Sequence, residues 1–278
     1  MSNPLLLQAA SALISIALLA ISATVFWRVI VRLRREGGNV RSAGFQIPDA
    51  LVALVLISFF SVMLISALSR RTDGEAPLTV DRLLPDSIGF IVFTVGIASY
   101  LKFLRGMSLL AMFGLTRLSP LKILGWAVGL LICASPLIGE AAILSRAALP
   151  KEDVVPQPLV ELFRDVAHHA DYPALAKLLI AIVVVAPICE EFLFRGFYYG
   201  VGKRFLGPVP AGFLTAMLFA ASHLNLAGLA SLFVLAVCFT LAYERTGSLL
   251  VPICMHALFN FTNLFFIFGQ AQGWFPMQ

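Results

Sequence analysis

The stretch PALAKLLIAIVVVAPICEEFLFRGFYYG, residues 173–200, is long and apolar enough to cross a bilayer, yet its second half carries Glu190, Glu191 and Arg195. A hydrocarbon core of about 30 Å needs about 20 apolar residues in a helix. Ionisable groups in such a span cost at least about 2.5–3.5 kcal/mol each on insertion scales, so they turn toward a bundle interior and mark function. This segment therefore calls for partner helices around it.

The rest of the chain supplies them. Of its 278 residues 60% are hydrophobic and 13% charged, against roughly 45–50% and about 25% in a soluble domain. Apolar runs near 4–27, 48–68, 86–104, 122–144, 173–200, 209–224, 228–243 and 248–269 predict an all-α, polytopic transmembrane bundle of about eight spans. The sixth and seventh runs are short and separated only by HLNLAG, and form a tight pair. No long polar block interrupts the pattern, so one membrane domain is expected. The N-terminal apolar run has no basic residue before it and exceeds a signal-peptide core, so it is expected to remain as the first span. Cys133, Cys189, Cys238 and Cys254 lack metal spacing and read as small core residues.

Lys and Arg in short loops set orientation. Arg28, Arg32, Arg34, Arg35 and Arg41 mark the first loop as cytoplasmic. Loop 69–85 mixes Arg70, Arg71 and Arg82 with Asp73, Glu75 and Asp81, and fits outside. Lys102, Arg105, Arg117 and Lys122 mark an inside loop, 145–172 is net acidic and fits outside, and Lys203, Arg204 and Arg245 mark the last inside turns. Both termini are then expected outside, in a plasma membrane of bacterial inner-membrane type. LFRDVAHHADY, within 145–172, reads as a short interfacial helix with solvated His168 and His169. No basic face is large enough for nucleic acid.

The ionisable or strongly polar residues inside spans are few: Glu190, Glu191, Arg195, His223, His256 and Asn260, with Glu140 close enough to an interface to snorkel. Asp49 follows Pro48 and reads as an ordinary first-turn acid. Glu191 and Arg195 are four apart and share a helix face, with the acid N-terminal to the base. Glu190 is turned about 100° away and cannot share that pairing equally. A carboxylate without a charge partner, held where water is scarce, suits general-base work. From these residues alone, a buried structural ion pair beside a neutral Glu190 remains open. His223 shares a face with Phe219, and His256 with Asn260, one turn apart in each case. Pro187 and Pro252 precede two of these sites, and each can kink its span and free a carbonyl that helps hold water, although prolines are also simply tolerated in membrane helices. At about 1.5 Å per residue, Glu190 and His223 share a depth only if span five continues through GFYYGVGKRF or span six begins below the bilayer.

The ordered set EExxxR (Glu190, Glu191, Arg195), FxxxH (Phe219, His223) and HxxxN (His256, Asn260), with the flanks PICEEFLFRG and TGSLLVPICMHALFN, resembles the CAAX protease and bacteriocin-processing family of intramembrane proteases. The resemblance covers roughly residues 173–270, a catalytic core within the membrane domain; residues 1–172 carry no such signature. It implies that Glu190 activates a water for attack on a peptide carbonyl with His223 assisting. It further implies that His256 and Asn260 hold the oxyanion, and that Glu191 and Arg195 support the helix presenting the base. It also implies a metal-independent glutamate protease with no cofactor. Glu190, His223 and His256 would otherwise make a three-ligand zinc set, though no H-E-x-x-H pair is present. The expected partners are the bilayer and a membrane-associated peptide or protein substrate. A partner-binding immunity protein on the same fold is one alternative. A proton-coupled carrier is another, disfavoured because the intramembrane polar residues all lie in the second half, without the paired repeats of transporters.

Overall fold

The computed structural model describes residues 4–71 and 78–275. Among these the chain is a helix bundle: α1 Pro4–Glu36, α2 Ile47–Arg71, α3 Val80–Ser99 with a π turn Tyr100–Leu104, the short α4 Leu109–Met112, α5 Pro120–Ala148 and α6 Pro158–His168. There follow α7 Tyr172–Leu179, α8 Ala186–Glu191, α9 Tyr199–Leu206, α10 Pro208–Ser222, α11 Leu229–Thr246 and α12 Leu250–Ala271. The expected outer loop between the second and third spans falls largely outside the described residues. Asp73 and Glu75 lie in 72–77, and the side chains of Arg70, Arg71 and Arg82 are likewise not described.

Among the described residues, seven helices are long and apolar enough to cross a membrane. The expected sixth span is shorter: α10 has 15 residues, about 22 Å at 1.5 Å per residue, against a core of about 30 Å. The turn that follows it, residues 223–228, therefore falls within the thickness its neighbours cross.

The expected fifth span extends further than its apolar run, from Tyr172 to Leu206. GFYYGVGKRF stays helical until Gly207, whose φ of 84° ends α9 and turns the chain into α10. This hairpin resolves the depth question. Glu190 lies sixteen residues before Leu206 and His223 fifteen after Pro208, so both sit about 22–24 Å above the same turn.

Three apolar clusters hold the bundle. Phe45, Phe113, Phe197, Tyr199 and Phe219 pack α2, the α4 segment, α9 and α10. Phe26, Leu130, Phe239 and Met255 pack α1, α5, α11 and α12. Phe163, Leu178 and Leu264 pack α6 and α7 against α12. Large apolar side chains such as Leu13, Ile65 and Leu121 remain exposed on the outer surface, where acyl chains supply the apolar surroundings.

Two polar hubs tie the N-terminal helices to the rest. Asp49 is fully buried; it accepts from Tyr100 Oη at 2.9 Å, from Arg105 Nε at 2.8 Å and from the Gln46 backbone at 2.7 Å. It is a joint between α2 and α3, and more than the first-turn acid its position suggests. Glu244, near the end of α11, accepts from Tyr199 Oη at 2.5 Å, Lys203 Nζ at 2.6 Å and the Asn39 and Val40 amides. A buried carboxylate is tolerated when its lone pairs are filled in this way. α11 then ends at Gly247, left-handed at φ 66°, the usual device for stopping a helix before the chain reverses. Pro252 lies in the first turn of α12, where a missing N–H costs nothing. The helix begins only two residues earlier, so Pro252 gives it no cause to bend there.

Candidate active site

The segment bearing the two glutamates is not a uniform α-helix. Between α7 and α8 lies a π stretch, Ile180–Val185, and a second, Phe192–Tyr198, separates α8 from α9. π turns are rare and often mark functional sites, and here the first has an identifiable cause. Ala186 donates its N–H to Ala181 O, five residues back. The next bond in that register would run from residue 187 to Ile182 O, and residue 187 is a proline with no N–H. Ile182 O is satisfied instead by Asn260 Nδ2 of α12 at 2.8 Å. Pro187 thus frees a carbonyl, and Asn260 pins α12 to it at the level of the glutamates.

Glu191 and Arg195 are enclosed, with side chains 0% and 1% exposed. Arg195 Nη1 donates to Glu191 Oε1 at 2.8 Å and Nη2 to Ala236 O of α11 at 3.2 Å. The guanidinium lies 4.4 Å from the Phe219 ring centre and 5.2 Å from that of Phe239, so cation–π attraction replaces part of its lost hydration. A buried pair of this kind contributes little net stability while complete, and is costly to break.

His256 joins the two glutamates. Its Nδ1 lies 2.9 Å from Glu191 Oε1. The carboxylate that pairs with Arg195 can only accept, so Nδ1 carries the proton and Nε2 is the ring atom left for other work. Nε2 faces Glu190 Oε2 at 3.9 Å, too long for a direct hydrogen bond and within reach of a bridging water. Glu190 is 18% exposed at its side chain, and its Oε2 is buried with no hydrogen-bond partner. His223, capping α10, has Nδ1 2.8 Å from Phe219 O; a carbonyl accepts, so this ring too keeps Nε2 free. The Phe219 ring touches both histidines, with centres 4.7 Å from His223 and 5.9 Å from His256.

Glu190, His223, His256 and Asn260 all line one cavity of about 1360 Å³, larger than the roughly 300–1,000 Å³ of small-molecule pockets. Its walls are mainly apolar, including Phe60, Phe90, Phe93 and Phe259. As placed, the side chains do not form the three-ligand zinc set: among the described residues no three His, Cys, Asp or Glu groups gather closely enough to hold one ion. The sequence signals found all six polar residues that meet here. They missed the Glu191–His256 contact, because the two residues are 65 apart in sequence and on different helices.

Long apolar helices closed around an acid–histidine centre, with a large cavity reaching it, define a polytopic membrane protein with a candidate active site inside the bundle. Residues 172–262 match the family profile described as type II CAAX prenyl endopeptidase Rce1-like. An uncharacterized 24.3 kDa protein of Escherichia coli is 32% identical over 189 residues, covering 62% of this chain and 82% of that protein. The membrane-embedded CAAX protease MroQ of Staphylococcus aureus (strain USA300) is 31% identical over 85 residues, 28% of this chain and 34% of that protein. No solved structure matches. The chain belongs to the CAAX protease and bacteriocin-processing family, a family of membrane-embedded proteases.

Proposed function

We propose that the protein is an intramembrane endopeptidase in which Glu190 activates a water for attack on a peptide bond of a membrane-associated substrate. The observation that carries this reading is the buried, unpartnered Oε2 of Glu190, 3.9 Å from His256 Nε2 at the cavity wall. Glu191 Oε1 is occupied by Arg195 and His256, and although its Oε2 is also unpartnered the carboxylate is fully enclosed, so it supports the site and leaves Glu190, at the cavity wall, as the base. Glu190 takes a proton from water as the oxygen attacks the scissile carbonyl. That proton then goes to the leaving nitrogen, with His223 Nε2 as a second acceptor and donor beside it. The oxyanion is held by the second Nδ2 hydrogen of Asn260, and the His256 ring, fixed by Glu191, steadies the intermediate beside it. No step needs a covalent intermediate on the protein, and residues 173–270 form the catalytic core.

The test is purified protein against a library of membrane peptides. We expect wild type to cleave a subset, and His223→Ala to lower the rate on those peptides at least about 10²-fold with an unchanged melting temperature. A variant that cleaves at the wild-type rate removes His223 from the reaction.

The charge distribution orients the site. The helix ends and loops at residues 28–49, 102–122, 203–204 and 244–245 carry twelve Lys and Arg against three Asp and Glu; those at the opposite end carry seven against ten. By the positive-inside tendency the first face is cytoplasmic, in a bacterial-type plasma membrane, and both termini lie outside. The cavity belongs to the other half of the bundle: it is lined by the last turns of α5, the first half of α3, α6, the turn 223–228 and the second half of α12. It therefore opens on the outer side. An impermeant maleimide on intact cells is expected to label Val155→Cys and to spare Arg35→Cys. The reverse pattern would invert the orientation.

A further inference from the structure

The outer face is acidic by sequence, with seven basic residues against ten acidic ones. The cavity that opens on it is not. Among the side chains described, its charged lining is Arg146, from the last turn of α5, and Arg164, from α6, with Glu190 deep inside; of the outer-face acids described (Asp81, Glu140, Glu152, Asp153, Glu161, Asp165 and Asp171) none lines it. Both arginines are exposed, and neither makes a hydrogen bond or ion pair among the described residues. The rim between them is fixed, because Asn225 Nδ2 donates to Val155 O at 2.8 Å and ties the turn after α10 to the segment before α6. A fixed cationic rim on an acidic face, above apolar walls, concentrates anions at its mouth.

We propose that Arg146 and Arg164 read a carboxylate on the substrate, so that the enzyme takes hydrophobic peptides bearing an acidic side chain or a free C-terminus on the outer side. The proposal rests on the endopeptidase reading only for what happens after binding. Its test therefore reads binding to Glu190→Gln protein, in nanodiscs of zwitterionic lipid at low salt. The probes are three fluorescent peptides of about 20 apolar residues, bearing beyond one end a single Asp with an amidated C-terminus, the matching Asn with an amide, or Asn with a free carboxylate.

One or both carboxylate peptides are expected to bind severalfold to about tenfold tighter than the Asn amide, the scale of two solvent-exposed ion pairs. Which of the two gains identifies the group that is read. Adding Arg146→Gln and Arg164→Gln is expected to bring the ratio close to one, and raising the salt to shrink it. A ratio unchanged by the arginine substitutions overturns the proposal. So does an arginine effect that follows the anionic lipid content of the nanodisc and ignores peptide charge, since the two side chains would then serve headgroups. Failure of the wild-type protein to cleave any peptide would count against the endopeptidase reading and leave this binding ratio as an independent result.

Discussion

Glu190→Gln is expected to lower single-turnover cleavage by about 10²–10⁴-fold, the usual contribution of a positioned general base, while the protein stays folded. The two halves of that expectation have separate physical grounds. Gln has the shape of Glu but cannot accept the proton of an attacking water. Stability should survive because, among the described residues, Glu190 forms no ion pair with a Lys or Arg that its loss would strand: His256 Nε2 stands off at 3.9 Å, and Oε2 is already without a hydrogen bond. A neutral amide in that place removes a desolvated carboxylate and can donate to the free imidazole nitrogen. The measurement is cleavage under single-turnover conditions, with thermal unfolding in the same detergent. Wild-type cleavage in the variant would end the assignment of Glu190 as base; inactivity with a collapsed melting temperature would make it structural.

Much of this centre is legible in the sequence because bilayers make polar groups expensive. Among so many apolar residues, Glu190, Glu191, Arg195, His223, His256 and Asn260 stand out one by one, and the i, i+4 spacing of Glu191 and Arg195 already pairs them. The parts that are not legible depend on geometry created by tertiary contact. Pro187 signals a disturbed helix, but that the Ile182 carbonyl it frees is taken up by Asn260, 78 residues on, emerges only in the fold. Glu244 lies at the end of its span, where a charge looks like an interfacial residue. Only the folded chain brings Tyr199, Lys203 and the 39–40 turn around it. Pro252 reads as a kink until the start of α12 is known. The sixth run already reads as short in the sequence; what is hidden is that α10 starts at the same turn that ends α9. That shortness is what carries His223 to the level of Glu190 and keeps it from the bundle end.

The larger effect on stability is expected at Glu191. Glu191→Ala leaves the Arg195 guanidinium, 1% exposed, with only Ala236 O and two aromatic faces around it. Breaking a buried pair from one side costs about 3–5 kcal/mol, a large share of a domain's total stability, so we expect a strongly lowered melting temperature and poor recovery from detergent. Replacing both partners is different: Glu191→Leu with Arg195→Met removes both desolvated charges and fills a similar volume, and should return most of the stability. Activity should not return with it. Glu191 Oε1 also accepts from His256 Nδ1 at 2.9 Å, and without that acceptor the ring loses what fixes its proton on Nδ1 and aims Nε2 at Glu190. A stable but slow double variant would show that the pair is kept in the membrane for the histidine it orients. A double variant with wild-type stability and wild-type turnover would reduce the ion pair to packing, and leave His256 positioned by Phe219 and Phe239 alone.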